Sequence, residues 1–378
     1  MNQSRIQESN PKRFIGVDLH TDKFNICESR EDSLEKIECK YLINDIDIDR
    51  FVSTLDKNTY VLLESCANAF KIAEIIKPYV AEVIIGDSHK LKHISLTNKK
   101  TDKVDAEKLS IMLKIQIIAG EELINKVYIP ENEIQQLRSL FRTYEQFKAN
   151  ITAVKNHIHS LCHQNLVILP PGKLTRRMIT HIQSLDLPET MSFQLNLHIE
   201  ELLGLEEKRS RIEERLKIVG SKYYKEIEIL TSIKGISIVT ALALIADIAN
   251  IQRFASAKKL CTYLRSAPSV QSSNNVTIIR KTNKFSRKLS MSFLTQGITH
   301  FKNANPELSK WYEFKTKNTK KGKIRMASCR KIIVNIYHML LKWQYHYYRD
   351  EKNHTEKMRQ YDLFLKKTGL FYEDSKIA

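Results

Sequence analysis

Six cysteines in 378 residues, none of them in a CxxC pair, leave this chain without the makings of a disulfide framework or a zinc ribbon. That usage fits an intracellular, reducing compartment. No apolar run approaches the roughly 20 residues that span a bilayer. The opening stretch, MNQSRIQESNPKR, lacks the apolar centre of a secretory signal. We therefore expect no membrane association. The sharpest deficit is of acid. Between Thr231 and Tyr348 stand 21 Lys and Arg residues but only three acids, Asp247, Glu307 and Glu313. The rest of the chain holds 40 basic and 40 acidic residues, so the whole net charge of +18 falls in one C-terminal block. A block of this kind reads as an electrostatic footprint for a polyanion, nucleic acid before a membrane surface or plain solvation.

What is present is ordinary for a soluble globular protein, 42% hydrophobic and 28% charged, and long enough for two or three domains. From Arg13 to about Ile129, strand and helix signals alternate. RFIGVDL, KFNICES and EKIECKYL read as strands, IDIDRFVSTLD as a helix, YVLLES as a short buried strand. NAFKIAEIIKPYV follows as a helix stopped near Pro78, then EVIIGD as a strand and KVDAEKLSIMLKIQ as a helix. Such alternation predicts an α/β layer on a central sheet. Beyond Glu131 the period changes. Phe147, Ile151, Val154, Ile158 and Leu161 fall at 4-3-4-3 spacing, a coiled-coil-like seam, and Leu195–Val219 offers a helix to return antiparallel. This arm serves as a spacer or as a dimerisation surface. The expected fold is α/β plus α, divided as 11–130 (α/β), 131–228 (helical, coiled-coil-like linker), 229–348 (mostly helical, basic) and a tail, 349–378.

Chemistry is suggested first by TNKKTDKVDAEKLS, where Asp102 and Asp105 stand three apart at the mouth of a helix. Each alone reads as a helix cap or surface charge. On a helix the two lie within about 60° of one another and can address one point. Two further acids close buried strand signals, Asp18 in FIGVD and Glu64 in VLLE, and α/β sheets gather ligand sites at such strand ends. Four crowded carboxylates repel one another. Divalent cations resolve this, and hard oxygen donors favour Mg²⁺ or Mn²⁺ with phosphoryl transfer as the chemistry.

Other motifs leave alternatives open. Gly235, ahead of an apolar helix, suits a helix-hairpin-helix contact to phosphate or an ordinary core turn. Ser272 and Ser273 lie between Pro268 and two asparagines, a turn by composition, and the cations Arg280, Lys281, Lys284, Arg287 and Lys288 follow. Lys315–Lys331 carries eight basic residues and no acid, among them Lys320, Lys321, Lys323 and Arg325. It reads as a phosphate-tracking loop or a solvated charged one. Tyr345, Tyr347 and Tyr348 can pack or stack on bases. His159, Cys162 and His163 have metal-capable spacing, but no second ligand pair lies near them in sequence, and a polar helix face is the plainer reading.

FIGVDLHTDKFNIC, VLLESCANAF and NKKTDKVDAEKL together resemble the N-terminal domain of the DEDD transposases of the bacterial insertion-sequence one-hundred-and-ten family. The likeness continues through LRSLFRTYEQFKANITAVKNHIHSL and the basic block. It implies an RNase H/RuvC-like N-terminal domain with Asp18, Glu64, Asp102 and Asp105 as ligands of Mg²⁺ or Mn²⁺. It also implies a serine nucleophile five residues after a proline, which falls on Ser273, with Ser272 as the neighbouring alternative. Two positions depart from the pattern: Cys66-Ala67 replaces Thr-Gly after the second acid, and Asn274 replaces the glycine after the serine. Members of this family cut and rejoin DNA through a covalent phosphoserine link, guided by a structured noncoding RNA. They work as homo-oligomers in the bacterial cytoplasm, at the nucleoid. A RuvC-like endonuclease or Holliday-junction resolvase with a structural serine is the alternative, and a non-enzymatic nucleic-acid-binding protein a third.

Overall fold

Alternate residues of the first strand serve two different cores, and that alternation builds the N-terminal third of the protein. The computed structural model describes residues 11–33, 35–88, 90–91, 102–169, 174–273, 276–282 and 289–370, with backbone alone for 102–103, 269–273 and 276–282. The chain forms two compact units, 1–129 and 130–378.

In the first unit, β1 (Arg13–Leu19), β2 (Lys23–Arg30) and β3 (Lys36–Leu42) form an antiparallel meander. Helix α1 (Asp45–Ser53) leads to β4 (Thr59–Glu64), and α2 (Ala69–Ile76) leads to β5 (Glu82–Gly86). β1, β4 and β5 are parallel, and the sheet order is β3-β2-β1-β4-β5. Ile15, Val17 and Leu19 pack with Val61, Leu63, Phe51 and Ile72 on one face. Phe14 packs with Leu62, Ile84, Leu109 and Leu113 on the other. This second face is covered by α3 (Asp102–Ala119). The strands and helices expected from the period of the sequence are all here.

One glycine permits the α3 packing. A Cβ on Gly16 would meet the Ala106 carbonyl oxygen at 2.2 Å and the Ser110 nitrogen at 2.4 Å. The helix backbone thus rests directly on β1, and the Ser110 hydroxyl donates to Ser29 Oγ on β2 at 2.8 Å. Gly16→Val is expected to destabilise the unit by about 3 kcal/mol or more, since neither backbone can yield without moving a whole element. Denaturant unfolding of the variant checks this.

At the opposite end of β1, Arg13 bonds Glu28 at 2.7 Å and Asp56 at 3.0 Å. Burial alone would raise the Glu28 carboxyl, but the Arg13 and Arg30 guanidiniums hold it below its usual range. A depressed folded-state pKa stabilises above the ordinary carboxylate range, and that contribution is lost as pH falls through it. Arg13→Met should therefore cost about 3 kcal/mol at neutral pH, where Glu28 is left buried and charged, and clearly less near pH 3. Unfolding at both pH values measures the difference.

The second unit opens with α4 (Asn132–Gln164), followed by α5 (Arg176–Gln183) and α6 (Glu189–Val219). Lys155 pairs with Glu206 at 2.8 Å and His157 stacks on His198, so α4 and α6 run antiparallel. Ile151, Val154, Ile158 and Cys162 form the seam with Leu195, Ile199, Leu202 and Leu205, while Phe147 and Leu161 are partly buried against it. The base of this arm is continuous with the C-terminal core, where Ile134, Leu137 and Phe141 join Leu216. That core is built from α7 (Tyr224–Thr231), α8 (Ile238–Ile248), α9 (Ala257–Tyr263), α10 (Leu289–Ala304), α11 (Pro306–Thr316), α12 (Lys321–Lys342) and α13 (Glu351–Lys367). A hairpin, β6 (Pro268–Ser273) with β7 (Val276–Thr282), interrupts the helices.

Two local expectations are corrected. The paired serines are strand residues rather than a turn: Ser272 pairs with Thr277 and Ser273 with Val276. The basic run Lys315–Lys331 is mostly helix, the end of α11 and the first half of α12, with only 317–320 between them. Ile324, Ser328 and Cys329 are buried on α12; their spacing extends the apolar stripe back into the charged stretch.

Candidate active-site residues and nucleic-acid interface

Asp18 and Glu64 reach the same end of the same sheet face. The β1–β4 register sets Gly16 opposite Leu62 and Val17 opposite Leu63. Two residues beyond the first pair, on that face, come Asp18 and Glu64, since side chains alternate along a strand. Asp18 is 9% exposed and Glu64 half-buried. Helix α3 lies over this face antiparallel to the strands. Its Ala106 and Ser110 touch Gly16, while Leu109 and Leu113 reach back to Phe14. Its N-terminus therefore points toward the strand ends that carry Asp18 and Glu64. Asp102 is the first residue of α3, and its side chain lies outside the described residues. Asp105 is half-buried one turn later, 3.5 Å from the Lys108 ammonium.

Groups around the two strand acids were not singled out in the sequence. His20 Nε2 lies 3.2 Å from Asp18 Oδ2. The DLH spacing carries the signal, because i and i+2 share a face of an extended chain. The Cys66 thiol donates to Asn68 Oδ1 at 2.9 Å, and the Asn68 amide donates to the His20 carbonyl at 2.9 Å. This bridge fixes the turn after β4 against the turn after β1. Burial pushes the Cys66 thiol up, and the Glu64 and Asp18 carboxylates push it further. The two carboxylates stand at adjoining ends of parallel strands, Asp18 buried and Glu64 half-buried. A pair of hard oxygen donors at adjoining strand ends suits a small divalent cation. Among the described residues no three His, Cys, Asp or Glu side chains form a metal-holding cluster.

In the second unit Ser273 is the last residue of β6, and Asn274 and Asn275, which join it to β7, lie outside the described residues. Arg280 and Lys281 are on β7; Lys284, Arg287 and Lys288 also lie outside the described residues. Lys320, Lys321, Lys323 and Arg325 surround the N-terminus of α12 and are exposed. That placement opposes the helix dipole, which favours anions there. Stability alone does not call for four cations at a helix start; they form a candidate surface for a phosphate chain.

The remaining motifs resolve more simply. Gly235 has φ 100°, and α8 behind it is buried along nearly its whole length. Lys357 donates to the Ile236 carbonyl at 2.8 Å and closes the turn from the other side. Cys162 is a seam residue of the arm, with His159 half-buried and His163 exposed. Tyr345 carries the Arg349 guanidinium over its ring at 4.5 Å, while Tyr347 is 90% exposed. No helix among the described residues is long and apolar enough to cross a membrane.

The chain is similar to the transposase for insertion sequence element IS1111A of Coxiella burnetii. The two are 22% identical over 315 residues, 79% of this chain and 81% of that protein. Residues 227–313, which include the hairpin with Ser273 and the cations from Arg280 to Lys288, match the family model described as transposase IS116/IS110/IS902 family.

Proposed function

We propose that this chain is an insertion-sequence transposase that cuts DNA strands and exchanges them through a phosphoserine link. The observation that carries the proposal is the meeting of Asp18 and Glu64 at adjoining ends of parallel strands, under the N-terminus of a helix that begins with Asp102. The sheet order β3-β2-β1-β4-β5, a meander followed by parallel strands, supports the RNase H/RuvC-like reading of the first unit. The similarity to insertion-sequence transposases supports the substrate class.

In this reading Asp18, Glu64, Asp102 and Asp105 hold Mg²⁺ or Mn²⁺. When bound, the cation supplies charge neutralisation and polarisation of a phosphoryl oxygen. His20 orients the Asp18 carboxylate through their contact. Ser273, with Ser272 as the neighbouring candidate, attacks the scissile phosphate. A bond forms between serine Oγ and phosphorus as one backbone P–O bond breaks. The serine gives up its proton and the departing sugar oxygen gains one. Attack by a different sugar hydroxyl reverses the step and reseals the new junction, so the bond energy is retained and no nucleotide is consumed. The cations of β7 and of the α12 N-terminus, with Lys284, Arg287 and Lys288, grip the phosphate backbone. The resemblance extends the proposal to a structured noncoding guide RNA and a homo-oligomer, at the nucleoid of a bacterial cytoplasm.

The test is strand exchange by the purified full chain on DNA carrying the element's ends, with and without the RNA that co-purifies from cells, in Mg²⁺ and in EDTA. Recombinant product that needs both Mg²⁺ and the RNA is expected. Cleavage with no exchange under any condition would favour the endonuclease alternative.

A further inference from the structure

The end of α12 and the turn beyond it leave a large aromatic surface in solvent. Tyr347 is 90% exposed, Trp343 56% and Tyr345 42%. Trp343 takes φ 55°, left-handed backbone where glycine is the usual occupant. Left-handed backbone at this position ends the helix. The Gln344 amide closes onto the Met339 carbonyl at 3.0 Å, so the chain turns sharply at the helix end.

This turn walls an open recess of about 470 Å³, bounded by Glu307, Asn335, Lys342, Gln344, Tyr347 and Tyr348 among others. The volume falls within the span of small-molecule sites, about 300–1,000 Å³. Asn335 and Lys342 are seven residues apart on α12 and share a face. The Tyr347 and Tyr348 rings meet edge to face at 5.0 Å, which holds Tyr347 upright at the rim.

The lining selects among ligands. Aromatic faces accept any base by stacking. The amides of Asn335 and Gln344 both donate and accept, whereas the Glu307 carboxylate accepts alone. A carboxylate repels phosphate but takes hydrogen bonds from the amino group of a base. Glu307 is one of three acids in the basic block; the Tyr348 hydroxyl donates to it, and a carboxylate keeps further lone pairs with which to accept. Asp247 accepts from the Ser290 amide and hydroxyl, and Glu313 from Ser309. We propose that this recess receives a single unpaired nucleobase, stacked against Tyr347 and read at its amino edge by Glu307, with Lys342 on the adjoining phosphate. The site does not depend on the metal and serine chemistry proposed above.

Fluorescence anisotropy of the full chain against labelled oligonucleotides of equal length and at one salt concentration tests it. The four ligands are a perfect DNA duplex, the same duplex with one bulged base, single-stranded DNA and single-stranded RNA. Tyr347→Ala should bind the bulged and single-stranded ligands about tenfold more weakly, the size of one lost stack, and the perfect duplex within about twofold of wild type. Tyr347→Phe should bind as wild type. 2-Aminopurine at the bulge should be quenched by wild type and not by Tyr347→Ala. The RNA and DNA arms identify which nucleic acid supplies the base. Equal binding of all four ligands by wild type and Tyr347→Ala, an equal loss on the perfect duplex, or a changed oligomeric state in light scattering as the sole effect would overturn the proposal. Should Tyr347→Ala lose thermal stability, Glu307→Gln decides: a changed preference among bulged bases supports the site, and an unchanged preference overturns it.

Discussion

Ser273→Ala is expected to abolish strand exchange and the covalent protein–DNA species while leaving DNA binding within about twofold of wild type, because the hydroxyl is uncharged and contributes little to a phosphate-dominated affinity. Loss of a nucleophile has no partial substitute: water can cleave a phosphodiester but cannot store the bond for resealing. We expect a fall of at least about 10⁴-fold in exchange, the scale on which removal of a catalytic serine is felt. A 32P-labelled substrate incubated with wild-type protein and quenched in detergent should leave a slow-migrating labelled band that protease removes. The Ser273→Ala lane should lack that band, and Ser272→Ala should retain it. Loss of the adduct in Ser272→Ala alone would move the nucleophile by one position. Full exchange by both single variants would end the serine mechanism and leave the resolvase reading in place.

The separate fates of the serine and the acids show what this sequence makes legible. Asp18 and Glu64 could be found because each terminates an apolar strand run, and a charge at the end of such a run has few structural uses. The strands themselves were readable through period-two alternation, which here sorts Ile15, Val17 and Leu19 from Phe14 and Gly16. Gly16 carried no such signal. Its role is a close approach between two elements some 90 residues apart in sequence, and only the fold makes that contact visible. His20 was overlooked for a related reason: its importance lies in a partner two residues away on a strand, which charge patterning does not weigh. The basic stretch misled in the opposite direction. Its charge drew the reading toward a loop, although Ile324, Ser328, Cys329 and Ile332 already carried a helical period through it. The hairpin was hidden likewise by its polar tip, while the β-branched run VTII after it was the strand signal.

Asp18→Asn is expected to lower strand cleavage about 10³-fold, the rate equivalent of the several kcal/mol of charge stabilisation that a correctly held divalent ion supplies. The substitution keeps the shape of the side chain and an oxygen donor, so the fold should survive. It removes one anionic charge beside Glu64, which stands at the adjoining strand end. Relief of that repulsion should leave the metal-free variant at least as stable as wild type. The metal should then distinguish the two proteins without any reference to turnover. Titrating Mg²⁺ or Mn²⁺ into wild type should raise the melting temperature in proportion to the logarithm of ion concentration over Kd, because binding stabilises only the folded state. In Asp18→Asn the rise should appear only at much higher ion concentration, and Asp102→Asn should behave the same way if the first residue of α3 completes the site. An Asp105→Asn variant tests whether the residue paired with Lys108 belongs to the same set. Identical melting shifts in wild type and Asp18→Asn, together with unchanged cleavage, would mean that the strand acids serve the packing of α3 on β1 rather than a bound cation.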